Sequence, residues 1–182
     1  MKFQKFAVRD IVFTAIIAAA FVLSGAISIP FVLSVDLYGL AYLVTALFFS
    51  FFIVILLLKV RKPGCVFLAG LINGLVLCMM STVMLFMQVT GALLCEVITL
   101  LIFRSYEKKA SVLTAAIIYM PLVFPMGVIG NMLIKGGSLA TIFKGGMGPN
   151  LACYAGTVVL SVVGALIGWK LGSELKRAGK LK

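Results

Sequence analysis

Residues 10–58, with the sequence DIVFTAIIAAAFVLSGAISIPFVLSVDLYGLAYLVTALFFSFFIVILLL, contain no lysine or arginine in 49 consecutive positions. The hydrocarbon core of a bilayer requires about 20 apolar residues for one helical crossing. The stretch is therefore long enough for two crossings, and it predicts that the chain is an integral membrane protein.

Three further stretches lack both cations: residues 63–103, 110–134 and 145–169, which are 41, 25 and 25 residues long. The first is long enough for two crossings and the others for one each. Because 41 residues leave almost no room for a loop, a tight turn is expected near Ser81 and Thr82. The chain, residues 1–182, is thus predicted to form one all-α domain with six transmembrane helices. These cover about residues 10–31, 37–59, 63–80, 83–104, 110–133 and 149–173.

Composition supports a membrane protein without a soluble domain. Hydrophobic residues make up 63% of the 182 residues, the mean hydropathy is +1.24, and only five carboxylates occur. The net charge of +11 could suit a nucleic-acid surface. The cations lie in short clusters at helix ends rather than along one face, which argues against nucleic acid as a partner.

The same cations predict the orientation of the chain. Fourteen of the 16 lie in the N-terminal segment, the second and fourth loops and the C-terminal segment. Short cytoplasmic loops of membrane proteins are enriched in lysine and arginine. Both termini are therefore predicted to be cytoplasmic, in a multi-pass protein of a bacterial cell membrane.

An enzyme is not predicted. The chain contains no histidine, which removes the commonest acid–base and metal-ligating side chain. No carboxylate pair has helical spacing within the crossings, and no phosphate-binding G-x-x-x-x-G-K-[ST] loop occurs. The four cysteines lack C-x-x-C spacing and are expected to be reduced packing residues. We predict no catalytic residue, no metal site and no cofactor within this chain.

Two regions depart from a plain helical crossing. Pro121 and Pro125 fall inside the fifth crossing, where each removes a backbone hydrogen bond, so a kink or a break is expected. Residues 131–150 contain five glycines and one proline, which predicts a long irregular outer stretch. It is either a solvated connector or a gate over a pocket that opens outward.

Small residues recur at four-residue spacing in three crossings. Such stripes let helices approach closely, and packing within the bundle is the expected role in the third and sixth crossings. In the first crossing the stripe lies just after Arg9 and Asp10, where a helix of a partner protein could dock. The stripes consist of Ala15 and Ala19 in the first crossing, Gly70 and Gly74 in the third, and Gly164, Gly168 and Gly172 in the sixth.

Over its whole length the chain resembles the substrate-binding S components of energy-coupling-factor (ECF) vitamin transporters. The shared features are the length, six crossings, a basic N-terminus that runs directly into the first helix, and the pattern Ala15-Ile-Ile-Ala-Ala19. Later positions resemble the S components for thiamine precursors and the Trep-Strep S-component group. These are Arg61-Lys62-Pro63-Gly64, Gly70, Gly74, Gly91 and Glu96.

The resemblance implies a subunit that captures a vitamin or a related small micronutrient outside the cell and has no pump of its own. Its partners would be the ECF transmembrane scaffold, called the T component, and two ATPase subunits that hydrolyse ATP. Ala15 and Ala19 would contact the scaffold. In the family, the ligand lies among the outer parts of helices 4 to 6 and the outer loops. The matching candidates here are Gln88, Tyr119, Asn131, Lys135, Lys144, Asn150 and Tyr154.

Glu96 is a further candidate, because an ionisable residue within a crossing is costly and usually serves a function. It lies eight residues before Arg104, about 12 Å from the cytoplasmic end at 1.5 Å rise per residue. Two roles stay open for it: recognition of a cationic ligand, or a bond to Asn73 or to a backbone group between the third and fourth crossings.

Two other classes of protein remain alternatives. One is a small stand-alone secondary transporter, which would need a coupling ion. The other is a structural or regulatory membrane subunit without a ligand. The sequence does not identify the ligand, whose size and charge depend on the shape of the pocket.

Overall fold

The computed structural model describes residues 6–35, 37–143 and 145–177, and each regular element in these ranges is an α-helix. The predicted all-α class is confirmed. Each of the six predicted helices has a counterpart, and a short helix is added before the last one. The helices are α1 (Val8–Val35), α2 (Tyr38–Val60), α3 (Cys65–Cys78), α4 (Thr82–Phe103), α5 (Lys109–Lys135), α6 (Leu139–Ile142) and α7 (Met147–Arg177).

Five of these helices are long and apolar enough to cross a membrane: α1, α2, α4, α5 and α7. The shorter α3 has 14 residues, which span about 21 Å at 1.5 Å per residue. Its length is less than the roughly 30 Å of a hydrocarbon core. The expected tight turn after it is present, since α3 ends at Cys78 and α4 begins at Thr82.

Contacts between consecutive helices fix their directions. Near the middle of α1 and α2, the rings of Phe21 and Phe49 stack with centroids 4.3 Å apart. Where α1 begins and α2 ends, Asp10 and Lys62 form an ion pair of 2.6 Å. Because one residue number falls as the other rises, α1 and α2 are antiparallel. Helices α3, α4 and α5 continue the alternation, with Gly70 beside Ala92, Gly74 beside Leu85, Gly91 beside Val123 and Gly130 beside Phe86.

The last helix, α7, runs parallel to α2. Residue numbers rise together along this pair. If the six longer helices alternate in direction, the second and the sixth of them, α2 and α7, must run the same way. The start of α1 and the end of α7 therefore lie at one end of the bundle, together with residues 61–64 and 104–108. We call this the basic end, and we call the opposite end, with residues 79–81 and 136–143, the loop end. The parallel contacts are Gly156 with Leu43, Gly164 with Leu47, and Gly168 with Phe51.

Glycines bring α7 and α2 into backbone contact. Gly164, Gly168 and Gly172 are buried, and a Cβ on Gly164 would collide with the Leu47 carbonyl group. The predicted packing role of this stripe is confirmed, as it is for Gly70 and Gly74 on α3. Since lipid tails give helices no hydrophobic reason to associate, close approach and dispersion stabilise such a pair.

The start of α3 depends on the Glu96 side chain. Its carboxylate accepts hydrogen bonds from the backbone N–H groups of Gly64 and Phe67, the latter at 2.7 Å, and from the Tyr106 hydroxyl at 3.4 Å. The first N–H groups of a helix have no partner within that helix, and the positive end of the helix dipole favours a carboxylate there. Of the two roles left open for Glu96, the geometry favours a bond to backbone groups of α3.

Replacing Gly164 with alanine should destabilise the protein. The new Cβ would meet the backbone of Leu47, with the carbonyl carbon at 3.0 Å, so α2 and α7 must separate. We expect a loss of about 1–3 kcal/mol in the free energy of unfolding, the usual range for overpacking. Unfolding by SDS in mixed micelles measures this change in the free energy of unfolding. Gly148→Ala is the matched control, because no atom lies within 4 Å of a Cβ at that position of α7; equal stability of the two variants would contradict the packing role.

Glu96→Ala should also destabilise the fold, because it leaves the N–H groups of Gly64 and Phe67 without their acceptor. The expected loss is about 1–3 kcal/mol in the free energy of unfolding, the range for an unpaired buried polar group. Glu174→Ala, at an exposed position of α7, is the control. A Glu96→Ala protein as stable as the control would show that α3 does not need this carboxylate.

Candidate ligand-binding cavity

A cavity of about 670 Å³ lies in the half of the bundle next to the loop end. We call it the central cavity. It is enclosed by the second half of α1, the first half of α2, the start of α4, the second half of α5 and the segment around α6. Its polar lining residues are Ser28, Tyr38, Tyr42, Thr45, Gln88, Asn131, Lys135 and Thr141, and four methionines also line it: Met80, Met84, Met87 and Met120.

Aromatic rings form the floor of the central cavity. Phe21 and Phe49 both line it, and the Tyr119 ring lies against them with centroids 6.3 and 6.1 Å away. The Tyr119 hydroxyl donates a hydrogen bond to the Gln88 Oε1 atom at 2.7 Å. Because this bond occupies the carbonyl oxygen, the NH₂ group of Gln88 is the part that can donate to a bound molecule.

Two tyrosines of α2 form one wall. The hydroxyls of Tyr38 and Tyr42 are 2.7 Å apart, and the Tyr42 hydroxyl donates to the Met87 sulfur at 3.2 Å. Gly127 of α5 faces them, and a Cβ there would collide with both hydroxyls. This pair was not among the predicted site residues, although the spacing of four residues at the start of a helix places both side chains on one face.

The described lining of the central cavity carries little charge. Lys135 is the only ionisable cation among the described lining residues, and no carboxylate occurs among them. Hydroxyls, amides and one ammonium group can bind neutral or anionic groups, but they offer no counter-charge to a cation. Within the described residues, no three His, Cys, Asp or Glu side chains are grouped as metal ligands would be.

Three of the predicted binding residues line the central cavity: Gln88, Asn131 and Lys135. Tyr119 lies behind the floor and holds Gln88. Lys144 lies outside the described residues.

Asn150 and Tyr154 bond to backbone groups and do not line the cavity. The Asn150 amide accepts from the Gly39 N–H at 2.9 Å and donates to the Gly146 carbonyl at 2.8 Å, which ties the starts of α2 and α7 together. The Tyr154 hydroxyl donates to the Pro121 carbonyl at 3.3 Å. That carbonyl is available because Pro125 has no N–H to donate to it.

The two prolines do not break α5, which is helical from Lys109 to Lys135. The expectation of an irregular stretch over residues 131–150 was too long, because α5 continues to Lys135 and α7 already begins at Met147. The connection between them includes α6. Gly137, Thr141 and Ile142 of this connection line the cavity, so it covers part of the loop end.

Glu96 is bonded to the start of α3, as described above, and is not part of the cavity lining. Ala15 and Ala19 are exposed on α1, whereas Ala18 between them is buried. The alanine pair therefore lies on a surface that α2 and α3 leave uncovered.

Comparison with protein families gives a match over most of the chain. The sequence model of the Trep_Strep family, described as hypothetical bacterial integral membrane proteins, matches residues 8–174. No curated protein and no solved structure matches the chain significantly. The match agrees with the several long apolar helices, and with the prediction of a bacterial multi-pass membrane protein. Because it spans nearly the whole chain, this protein belongs to the Trep_Strep family of bacterial integral membrane proteins.

Proposed function

We propose that this protein is the substrate-binding subunit of an ECF-type importer, which captures a vitamin or a related small micronutrient outside the cell. The observation that carries the proposal is the central cavity, which lies at the end of the bundle opposite the lysine and arginine clusters. If the basic end is cytoplasmic, as the positive-inside rule predicts, the cavity faces outward. In this arrangement α3 is the sixth crossing.

The size and lining of the cavity suit a small molecule. Its volume of about 670 Å³ lies within the usual range for ligand sites, which combine apolar walls with a few polar groups. Phe21 and Phe49, which are 1% and 3% exposed, close the floor with apolar groups, and the methionine side chains of the lining adapt to ligand shape. A small neutral or anionic ligand fits the described lining, in which Lys135 is the one charged side chain, better than the cation of thiamine.

Energy for import would come from other subunits. The sequence has no phosphate-binding loop, so a T component and two ATPases are the proposed partners. The exposed Ala15 and Ala19 of α1 are the proposed contact with the T component. Small side chains there would let a helix of the partner approach the α1 backbone.

Reconstitution in proteoliposomes tests the function. An S component binds its ligand alone but accumulates it only together with the T component and the ATPases. Ion-dependent accumulation by the chain alone would instead identify a stand-alone secondary transporter. A chain that binds no small molecule, with or without those subunits, would be a structural or regulatory subunit.

Filling the central cavity should abolish binding. Gly25 lines the cavity and no atom lies within 4 Å of a Cβ there, so Gly25→Trp places an indole in the ligand space without overpacking the helices. We expect the amount of co-purified small molecule, measured by native mass spectrometry, to fall at least about tenfold, or ~1.4 kcal/mol. Gly148→Trp, at an equally open position outside the cavity, should leave it unchanged. Equal occupancy in both variants would place the ligand elsewhere.

Blocking the alanine pair should separate transport from binding. Ala15→Trp or Ala19→Trp places an indole on the proposed docking surface of α1, and we expect uptake to be lost while ligand affinity stays within about threefold. Uptake and binding are measured on the reconstituted complex and the isolated subunit. Ala155→Trp, at an exposed position of α7, is the control and should transport normally. Parallel loss of binding and uptake in the α1 variants would contradict the proposed contact.

A further inference from the structure

A second cavity, of about 350 Å³, lies at the basic end between the last turns of α2 and α7. We call it the basic-end cavity. Its lining residues are Leu58, Arg61, Trp169, Ser173, Lys176 and Arg177. Three of the six are cations, one is a hydroxyl donor, and none is a carboxylate. This composition suits an anion.

Among the described residues, these three cations have no carboxylate partner. Within residues 6–35, 37–143 and 145–177, the only ion pair shorter than 4.0 Å joins Asp10 and Lys62, and neither residue lines this cavity. Glu174 is the nearest carboxylate in sequence on α7, and it forms no such pair. The positive charge of Arg61, Lys176 and Arg177 is therefore not neutralised by the described part of the chain.

Helix dipoles oppose an anion here, but weakly. The cavity is beside the C-terminal turns of α2 and α7, where unpaired carbonyl groups amount to roughly half a negative charge for each helix. Three full positive charges outweigh that term. Lysine binds phosphate as a point charge, and arginine can do so through two parallel N–H groups, which makes a phosphate group the best match to the lining.

The surroundings favour a phosphate carried by a lipid. Both α2 and α7 have the length and apolarity of membrane-crossing helices. Trp169 supplies an aromatic wall of the kind found at membrane interfaces, with the Lys109 ammonium 5.3 Å from its ring centroid. On the same face of α7, one turn before Trp169, Leu166 is 53% exposed, which leaves an apolar surface for an acyl chain beside the charged cavity.

We propose that the basic-end cavity binds the phosphate headgroup of an anionic phospholipid. Arg61, Lys176 and Arg177 contact the phosphate oxygens, Ser173 donates to one of them, and Trp169 packs on the glycerol and upper acyl region. Basic pockets between membrane helices bind such headgroups in general. The proposal is independent of what the central cavity binds.

The test uses the delipidated full-length protein in detergent and native mass spectrometry. Phosphatidylglycerol, phosphatidylcholine and inorganic phosphate are titrated separately. The wild type should bind phosphatidylglycerol in preference to phosphatidylcholine, and the triple variant Arg61→Gln, Lys176→Gln, Arg177→Gln should bind it about 100-fold more weakly, the effect expected for three lost cations near a membrane surface.

The matched control removes three exposed cations from the same end but outside the cavity: Arg9→Gln, Arg104→Gln and Lys108→Gln. It should bind phosphatidylglycerol within about threefold of wild type, since screened charges beyond the contact distance contribute little. If both triple variants lose phosphatidylglycerol affinity equally, the lipid is attracted by the general surface charge, and the proposed site is wrong. Equal binding of the two lipids, or saturation by inorganic phosphate at the same concentration as by the lipid, would overturn the lipid assignment. The midpoint of unfolding confirms that all variants are folded.

Discussion

The close contact between α2 and α7 is the constraint on which the rest of the structure depends. In a bilayer, two helices gain little from hiding apolar side chains, so they must gain from dispersion at short range. The glycines of α7 allow the backbones to meet at Leu47 and Phe51. Helix α2 in turn packs on α1, α3 and α5, so the position of α7 fixes the centre of the bundle.

The central cavity follows from this arrangement. The same helix that meets α7 on one side presents Tyr38 and Tyr42 on another, and Gly127 of α5 leaves space for their hydroxyls. The Asn150 amide accepts a hydrogen bond from Gly39 and so holds the start of α2 to α7. This contact fixes the backbone that carries the two tyrosines. The polar groups of the site are therefore supported by helix packing rather than by a loop.

The spacing of lysines and arginines was enough to predict the helices, because a charge inside the hydrocarbon region is costly whatever the fold. It carries no information about which helices are neighbours. Gln88 and Asn131 were expected at the site because S components bind their ligand among the outer parts of helices 4 to 6, and both line the cavity. Asn150 and Tyr154 were chosen for the same reason, but each is hydrogen-bonded to a backbone group of a neighbouring helix instead. Tyr38 has a near partner in Tyr42, but the rings that place it in the site are distant in sequence: the Phe124 and Phe143 rings lie 5.6 and 6.1 Å from it.

The short α3 has a consequence for the membrane itself. Its 14 residues cover about 21 Å, some 9 Å less than a typical hydrocarbon core. Leu75 and Val76 are 57% and 47% exposed, so this face of α3 is not covered by the rest of the bundle. Such a hydrophobic mismatch is relieved by local thinning of the bilayer or by tilting of the protein. If α3 is the sixth crossing, as proposed above, its side of the bundle imposes this mismatch and the side of α7, with 31 residues, does not.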